Sequence, residues 1–285
     1  MYGETLNKSV GIVARLDRTD ALSLALDISK RFKLAGFEVF FEQKLAEQTS
    51  MLAFAKKLED MHVDLIVTIG GDGTILRTCL RIPKPEPPIL AIDMGARGFL
   101  AEVPPERAFE AIDHYLKGLY RIESYSKIAS YVGDLRLPDA LNEVFITSRQ
   151  LAKIMHLRIW KDDMEVADCR ADGIIIASQV GSTAYSFSSG GPILDPDINA
   201  FVLTPVCPVS FLRPIVFPSS SSIIIELLKP KSAAIVIDGD YQMNISNGEN
   251  KIVVKESEHK SRFVRFETDF YRRLKERLLF SREEG

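Results

Sequence analysis

The run Val63-Asp-Leu-Ile-Val-Thr-Ile-Gly-Gly-Asp-Gly-Thr74 constrains the architecture more than any other part of the chain. Asp64-Leu-Ile-Val-Thr-Ile69 is short, apolar and rich in β-branched residues, which suits a buried strand, and Thr74-Ile-Leu-Arg-Thr-Cys-Leu-Arg81 has helical spacing. A strand that turns into a helix through glycines opens its carboxyl end onto a crevice, where backbone N–H groups and the helix N-terminus favour an anion. Three glycines also suit a plain tight turn. Asp72 separates the two readings, because a carboxylate aimed into an anion site is unfavourable unless it takes a proton from a hydroxyl or meets a metal. The segment therefore points to phosphoryl transfer, with Asp72 as candidate base and Gly70, Gly71 and Gly73 as candidate phosphate cradle. The lysine of the Walker nucleotide loop is absent from it.

The flanking pattern alternates strands and helices. Residues 10–13, 38–41 and 89–92 read as short strands; residues 20–34 and 49–61 read as helices by their apolar spacing, the first ended by Gly36. Pro83-Lys-Pro-Glu-Pro-Pro88 is a stiff connector, and Pro104 with Pro105 opens a helix that runs to Leu116 ahead of Gly118. This is βαβ logic, and it predicts a Rossmann-like α/β domain over residues 1–121.

Beyond residue 122 the texture changes to short alternating or β-branched segments at 127–132, 144–147, 154–160, 174–176, 223–228, 233–237 and 251–254. They predict an all-β, sandwich-like second domain over residues 122–260. A helical pattern returns at 269–280, within a closing segment of residues 261–285. There is no clear internal repeat.

Composition permits this organisation: 285 residues, 46% hydrophobic, bury a substantial core. A net charge of −3 argues against a general nucleic-acid binder. No apolar stretch reaches membrane-spanning length, and Met1-Tyr-Gly-Glu-Thr5 lacks a basic region followed by an apolar one, so a soluble protein without membrane attachment is expected. Cys79, Cys169 and Cys207 are odd in number and far apart, which fits reduced thiols in the cytoplasm. His62, His114, His156 and His259 are scattered, and the carboxylates have no calcium-loop spacing, so no all-protein metal cage is expected.

A second constellation lies about a hundred residues downstream: Arg170-Ala-Asp-Gly-Ile-Ile-Ile-Ala-Ser-Gln-Val-Gly-Ser-Thr-Ala-Tyr-Ser-Phe-Ser-Ser-Gly-Gly-Pro192, preceded by Leu141-Asn-Glu-Val144. With Gly98-Phe-Leu-Ala-Glu102, Thr204-Pro-Val-Cys-Pro208, Arg213-Pro214 and Asp238-Gly239, in order and at compatible spacing, the chain resembles the NAD kinases over nearly its whole length. The resemblance implies an NAD kinase-like fold in which the closing segment returns to the first domain. It also implies transfer of a phosphoryl group from ATP or inorganic polyphosphate to the adenosine 2′-hydroxyl of NAD, with Mg²⁺ or another divalent cation on the donor, in a homodimer or homotetramer.

By the same resemblance Asn142 and Glu143 bind the dinucleotide, Asp172 lies near its nicotinamide end, and Thr183, Ala184, Tyr185, Ser186, Phe187 and Ser188 form a loop packed on it. Taken alone, Asn142 and Asp172 also suit turns, Tyr185 and Phe187 a core, and the serines helix caps. Arg77, Lys153 and Arg170 are candidate phosphate contacts, each equally an ordinary solvated charge. The chain departs from the family pattern at Ser178-Gln179-Val180, Asp93, Val209 and Asp240, with Gln242 a further candidate near the last. Two competing classes are a lipid or sugar kinase sharing Gly-Gly-Asp-Gly, and an NAD(P)-binding sensor without catalysis.

Overall fold

The computed structural model describes residues 8–95, 98–150, 152–209, 212–230, 232–245, 249–266 and 270–275. The chain divides into two units, Met1–Ser124 together with Ser261–Gly285, and Tyr125–Lys260.

In the first unit β1 (Ser9–Ala14), α1 (Thr19–Leu34), β2 (Glu38–Glu42), α2 (Gln43–Gln48), β3 (Ala55–Lys56), β4 (Leu65–Gly70), α3 (Asp72–Arg81), β5 (Ile89–Asp93) and α4 (Ala108–Leu116) follow one another. The strands run parallel in the order β5-β4-β1-β2-β3. Such a sheet is covered on both faces, which is why β4 is buried at every position and reads as a continuous apolar run. α1 turns Ala21, Ala25, Ile28 and Phe32 inward at helical spacing, and Phe32 meets Phe37 and Tyr115 edge to face. Gly36, at a φ of +83°, supplies the left-handed residue that ends the helix. From β3 the chain crosses to β4 on the other side of β1, so the order of strands reverses between β1 and β4. In an open parallel sheet that reversal opens a crevice at the carboxyl ends.

One expected helix is corrected. Residues 49–61 form no α-helix, only short 3₁₀ turns at Leu52–Phe54 and Leu58–Asp60: the α-helix lies upstream as α2, Thr49 Oγ1 closes it on Leu45 O at 2.7 Å, and Ser50 takes a left-handed φ of +59°. Ala55 and Lys56 instead extend the sheet beside Phe41 and Glu42. Pairing with a sheet edge outweighs helical spacing there.

The second unit is built from β6 (Arg121–Val132), which begins in the first, β7 (Leu135–Arg136), β8 (Glu143–Thr147), β9 (Met155–Lys161), β10 (Met164–Ala171), β11 (Gly173–Ala177), α5 (Tyr185–Ser188), β12 (Ala200–Val206), β13 (Ile215–Pro218), β14 (Ile223–Lys229), β15 (Ala233–Ile237), β16 (Tyr241–Ile245) and β17 (Lys251–Arg265). Six of these form an antiparallel sheet in the order β13-β12-β11-β8-β15-β16. A further antiparallel run is β10-β9-β14-β17, with β6 beside β17 and β7 beside β6. The β-rich second half is as the sequence predicts. β7, β10, β12, β13 and β16 add strands that its pattern does not pick out, and β17 is far longer than residues 251–254. β17 crosses from the second unit back into the first, where Phe263 pairs with Ile89 of β5 in parallel. Of the helix expected at 269–280, the described residues show α6 (Phe270–Leu274); the rest lies outside them.

Candidate functional site

In the first unit the chemistry gathers at the carboxyl ends of β1, β4 and β5. Gly70 closes β4, Gly71 precedes α3, and Asp72 is the first helical residue. A Cβ at Gly70 would overlap the Thr74 side chain, and one at Gly95 would sit tightly, 3.3 Å from both Gly71 Cα and Asp93 Oδ1, whereas one at Gly71 would make only ordinary contact. Gly73 is exposed, with open space where a side chain would stand. The Asp72 carboxylate accepts three consecutive amides: Phe99 N–H at 2.6 Å, Leu100 N–H at 3.0 Å and Ala101 N–H at 3.4 Å. Burial pushes its pKa above the ordinary value against the pull of those amides, and Asp93 on β5 adds to the rise. The result is a desolvated, oriented carboxylate with lone pairs still to offer.

Beside it, Arg15 and Arg18 both donate to Met94 O, at 3.4 and 3.1 Å, and Asp93 accepts from Gly95 N–H at 2.8 Å. Arg18, Asp20, Leu24, Asp93, Met94, Gly95 and Pro105 line a cleft of about 410 Å³. The two arginines escaped the sequence reading because nothing in the local pattern after β1 marks them. Arg77, expected at phosphate, forms a two-pronged ion pair with buried Glu42, its Nη2 2.9 Å from Oε2.

In the second unit the organising group is Asp238, at the turn after β15. Its buried carboxylate accepts Leu141 N–H at 2.7 Å, Asn142 N–H at 2.8 Å and Glu143 N–H at 3.0 Å, while its own N–H donates to Glu143 O at 3.1 Å. Asp238 takes a left-handed φ of +49°, a region that Asp enters more readily than most residues. Asn142 and Glu143 are thereby fixed at the head of β8. Asn142 Oδ1 and Glu143 Oε2 are buried with no hydrogen-bond partner. Two unsatisfied acceptors side by side are costly in a folded core, and a ligand bearing donors removes that cost.

The segment 178–188 packs against the same pair. Ser178 N–H donates to Asn142 O at 2.8 Å, and Ser178 Oγ bonds Leu141 O at 2.5 Å while accepting Gly181 N–H at 3.1 Å. A Cβ at Gly181 would run into the Asn142 carbonyl, so the approach requires glycine. Thr183 Oγ1 donates to Val180 O at 3.1 Å, Ala184 leads into α5, and buried Ser186 bonds Thr204 across 2.8 Å. Tyr185 is 41% exposed, its ring edge-on to Phe145 at 5.2 Å. Phe187 is half-buried and Ser188 exposed.

Asp172 is exposed, its carbonyl bonded by Thr147 Oγ1 at 3.0 Å. Arg170, Lys153 and Gln242 are exposed as well, on β10, before β9 and on β16. Among the described residues no group of three or more His, Cys, Asp or Glu side chains is placed to hold a metal ion.

Burial pushes Glu143 up to about 8, with Asp238 raising it further and the Tyr185 amide holding it down. Asp238 is pushed up to about 6 by burial, against its three amides and Lys127. Both values lie above the ordinary 4.5 and 3.8, so the folded chain keeps protons that the unfolded chain releases. Stability therefore falls as pH rises from the ordinary carboxylate range, the Asp238 share until about 6 and the Glu143 share until about 8. Glu143→Gln removes the second share. Its melting temperature is expected to fall less than that of the parent between about pH 6 and about pH 9; equal slopes would show that Glu143 does not hold the proton.

Models of two family domains match the chain: the ATP-NAD kinase N-terminal domain over residues 10–120, and the ATP-NAD kinase C-terminal domain over residues 141–266. An NAD kinase of Methanothermobacter thermautotrophicus is 44% identical over 273 residues, 95% of this chain and 96% of that protein. A crystal structure of an NAD kinase from Archaeoglobus fulgidus in complex with ATP superposes with a TM-score of 0.78 at 29% identity, covering 94% of this chain and 98% of that one. Yeast NADH kinase complexed with NADH, 22% identical, shares the fold with a TM-score of 0.88 over 99% of this chain and 90% of that one. With both halves matched in this way, the chain belongs to the NAD kinase family.

Proposed function

We propose that the chain transfers the terminal phosphoryl group of ATP to the adenosine 2′-hydroxyl of NAD, giving NADP. The observation that carries the reading is Asp72: a desolvated carboxylate at a helix N-terminus inside a glycine loop, where a passive phosphate site would have no use for negative charge. Membership of the family and the ATP complex of the A. fulgidus relative support it. Asp72 takes the proton from the attacking hydroxyl, a role typically worth about 10²–10⁴-fold in rate. Gly70, Gly71 and Gly73 let main-chain N–H groups and the α3 N-terminus meet donor phosphates, with the guanidinium groups of Arg15 and Arg18, ion-paired to Asp17 and Asp20 respectively, standing nearby.

In the second unit, Glu143 Oε2 accepts from ribose hydroxyls and Asn142 Oδ1 from an exocyclic amine, satisfying both orphaned acceptors. The exposed ring of Tyr185 offers a stacking face, and Asp172 a carboxylate for a carboxamide. Lys153, Arg170 and Gln242 supply exposed polar groups for the remainder of the ligand. A divalent cation such as Mg²⁺, brought by the donor, would offset charge on its phosphates, and the described residues place no group of three or more His, Cys, Asp or Glu side chains that would hold it without the donor.

The direct test is incubation of purified protein with NAD, Mg²⁺ and either ATP or polyphosphate, with NADP measured enzymatically. No NADP with either donor would end the assignment. Asp72→Asn keeps shape but cannot accept the proton, so it is expected to stay folded, bind NAD and lose at least about 10²-fold in kcat. Near-normal turnover in that variant would remove Asp72 from the mechanism. Glu143→Gln is expected to raise KM for NAD severalfold while leaving that for the donor within about twofold, as loss of a substrate-specific contact does. Equal loss for both substrates would make its role structural.

Three free cysteines, two buried and one exposed, are compatible with a reducing cytoplasm, and no helix among the described residues is long and apolar enough to cross a membrane. β13 and β16 end the six-stranded sheet and offer edges through which identical chains associate as a homodimer or homotetramer. Light scattering should return a multiple of 31.9 kDa; a monomer mass with undiminished specific activity on dilution would exclude assembly as a requirement.

A further inference from the structure

Arg265, the last residue of β17, is 1% exposed, an extreme degree of burial for a guanidinium. Burial of that charge is tolerable only where its donors are met. Its Nε donates to Glu123 Oε2 at 2.9 Å, Glu102 Oε2 stands 3.5 Å from Nη1, and Glu102 Oε1 accepts Phe266 N–H at 3.1 Å. A further contact links it to Asp72. Arg265 Nη1 donates to Leu100 O at 2.7 Å, and the N–H of that same Leu100 donates to Asp72 Oδ1 at 3.0 Å. The neighbouring residues Phe99 and Ala101 complete the set of amides on Asp72, and the Phe99 ring packs edge-on to Phe270 of α6 at 5.4 Å. Every one of these residues belongs to the first unit.

We propose that Arg265 is a positioning residue for phosphoryl transfer: by gripping the Leu100 carbonyl it holds the amides of Phe99, Leu100 and Ala101 against Asp72, and so fixes the direction in which that carboxylate meets the hydroxyl. The proposal rests on the reading of Asp72 as base. The geometry favours it over simple anchorage of β17, because two carboxylates already neutralise the guanidinium, whereas the Leu100 contact reaches the peptide chain that touches Asp72. Two neighbouring carboxylates also keep the guanidinium charged and in place.

Loosening that grip has two effects that plain destabilisation lacks. Misplacement of the base lowers kcat without weakening either substrate, and loss of amide donors raises the pKa of Asp72. The groups facing that carboxylate are Asp93 on β5, which already raises it, the three amides, which lower it, and its own helix N-terminus on α3. The acid limb of kcat should therefore move to higher pH when Arg265 is altered.

The experiment compares Arg265→Lys and Arg265→Met with the parent and with Asp72→Asn, scoring melting temperature, kcat, both KM values and the pH profile of kcat. Arg265→Met is expected to lose about 10- to 100-fold in kcat. Arg265→Lys, which keeps the charge but not the fork, should recover part of that loss, with both KM values near the parent's and the acid limb shifted upward. A folded Arg265→Lys with the parent's kcat and acid limb overturns the proposal. Failure of both variants to fold overturns it too, since Arg265 would then serve stability alone. Near-normal turnover of Asp72→Asn would instead defeat the base assignment, an outcome separate from either.

Discussion

Each unit depends on one aspartate that gathers three consecutive main-chain amides. In the first unit Asp72 draws in residues 99–101; in the second Asp238 draws in residues 141–143. Consecutive N–H groups converging on one carboxylate form a local positive field, and they compensate much of what desolvation costs the charge. Each clamp fixes a segment that local propensity leaves undecided. Neither Gly98-Phe-Leu-Ala-Glu102 nor the Leu141-Asn-Glu143 approach to β8 has a helical or alternating pattern of its own, so the aspartate sets the backbone path.

The two clamps differ in what they orient. Around Asp72 the amides orient the carboxylate, the group proposed as base. Around Asp238 the carboxylate orients the amides, and the atoms left to meet a ligand are the neighbouring, unpartnered Asn142 Oδ1 and Glu143 Oε2. The departure at Ser178-Gln179-Val180 can be understood beside the second clamp. Ser178 ties Leu141 O to Gly181 N–H, so the first hydroxyl of that triplet serves the backbone, while Val180 lends only its carbonyl, to Thr183.

Much of this was legible in the sequence where local signals and tertiary demands agree. The glycine corner after 64–69 is such a place: an apolar run too short for a buried helix, ended by glycines, of which Gly70 is required by its close approach to Thr74. The helix expected at 49–61 failed for the opposite reason, since Ala55 and Lys56 satisfy a sheet edge that the sequence does not announce. Arg77 was legible as a cation but not as a partner of Glu42, thirty-five residues away. Asp238 was legible only as part of a matching Asp-Gly segment, Arg265 not at all, and the roles of both were hidden for a common reason. An Asp-Gly turn and an arginine at a strand end are ordinary locally, and their roles arise from contacts 95 to 97 and 165 residues distant in the chain.

The passage of β17 into the first unit bears on how the protein is made. The parallel sheet that begins at Ser9 gains its last neighbour only when Phe263 arrives beside Ile89, and Arg265 reaches Leu100 only then. The intervening 136 residues of the second unit leave the ribosome earlier, with pairings such as β14 to β9 and β15 to β16 closed among themselves. The first unit, although it begins at the amino terminus, thus cannot complete its sheet until the whole second unit has been synthesised, so the usual amino-terminal-first order of domain completion does not hold for it. A chain cut short before Ser261 lacks both the strand residue beside Ile89 and the arginine beside Leu100.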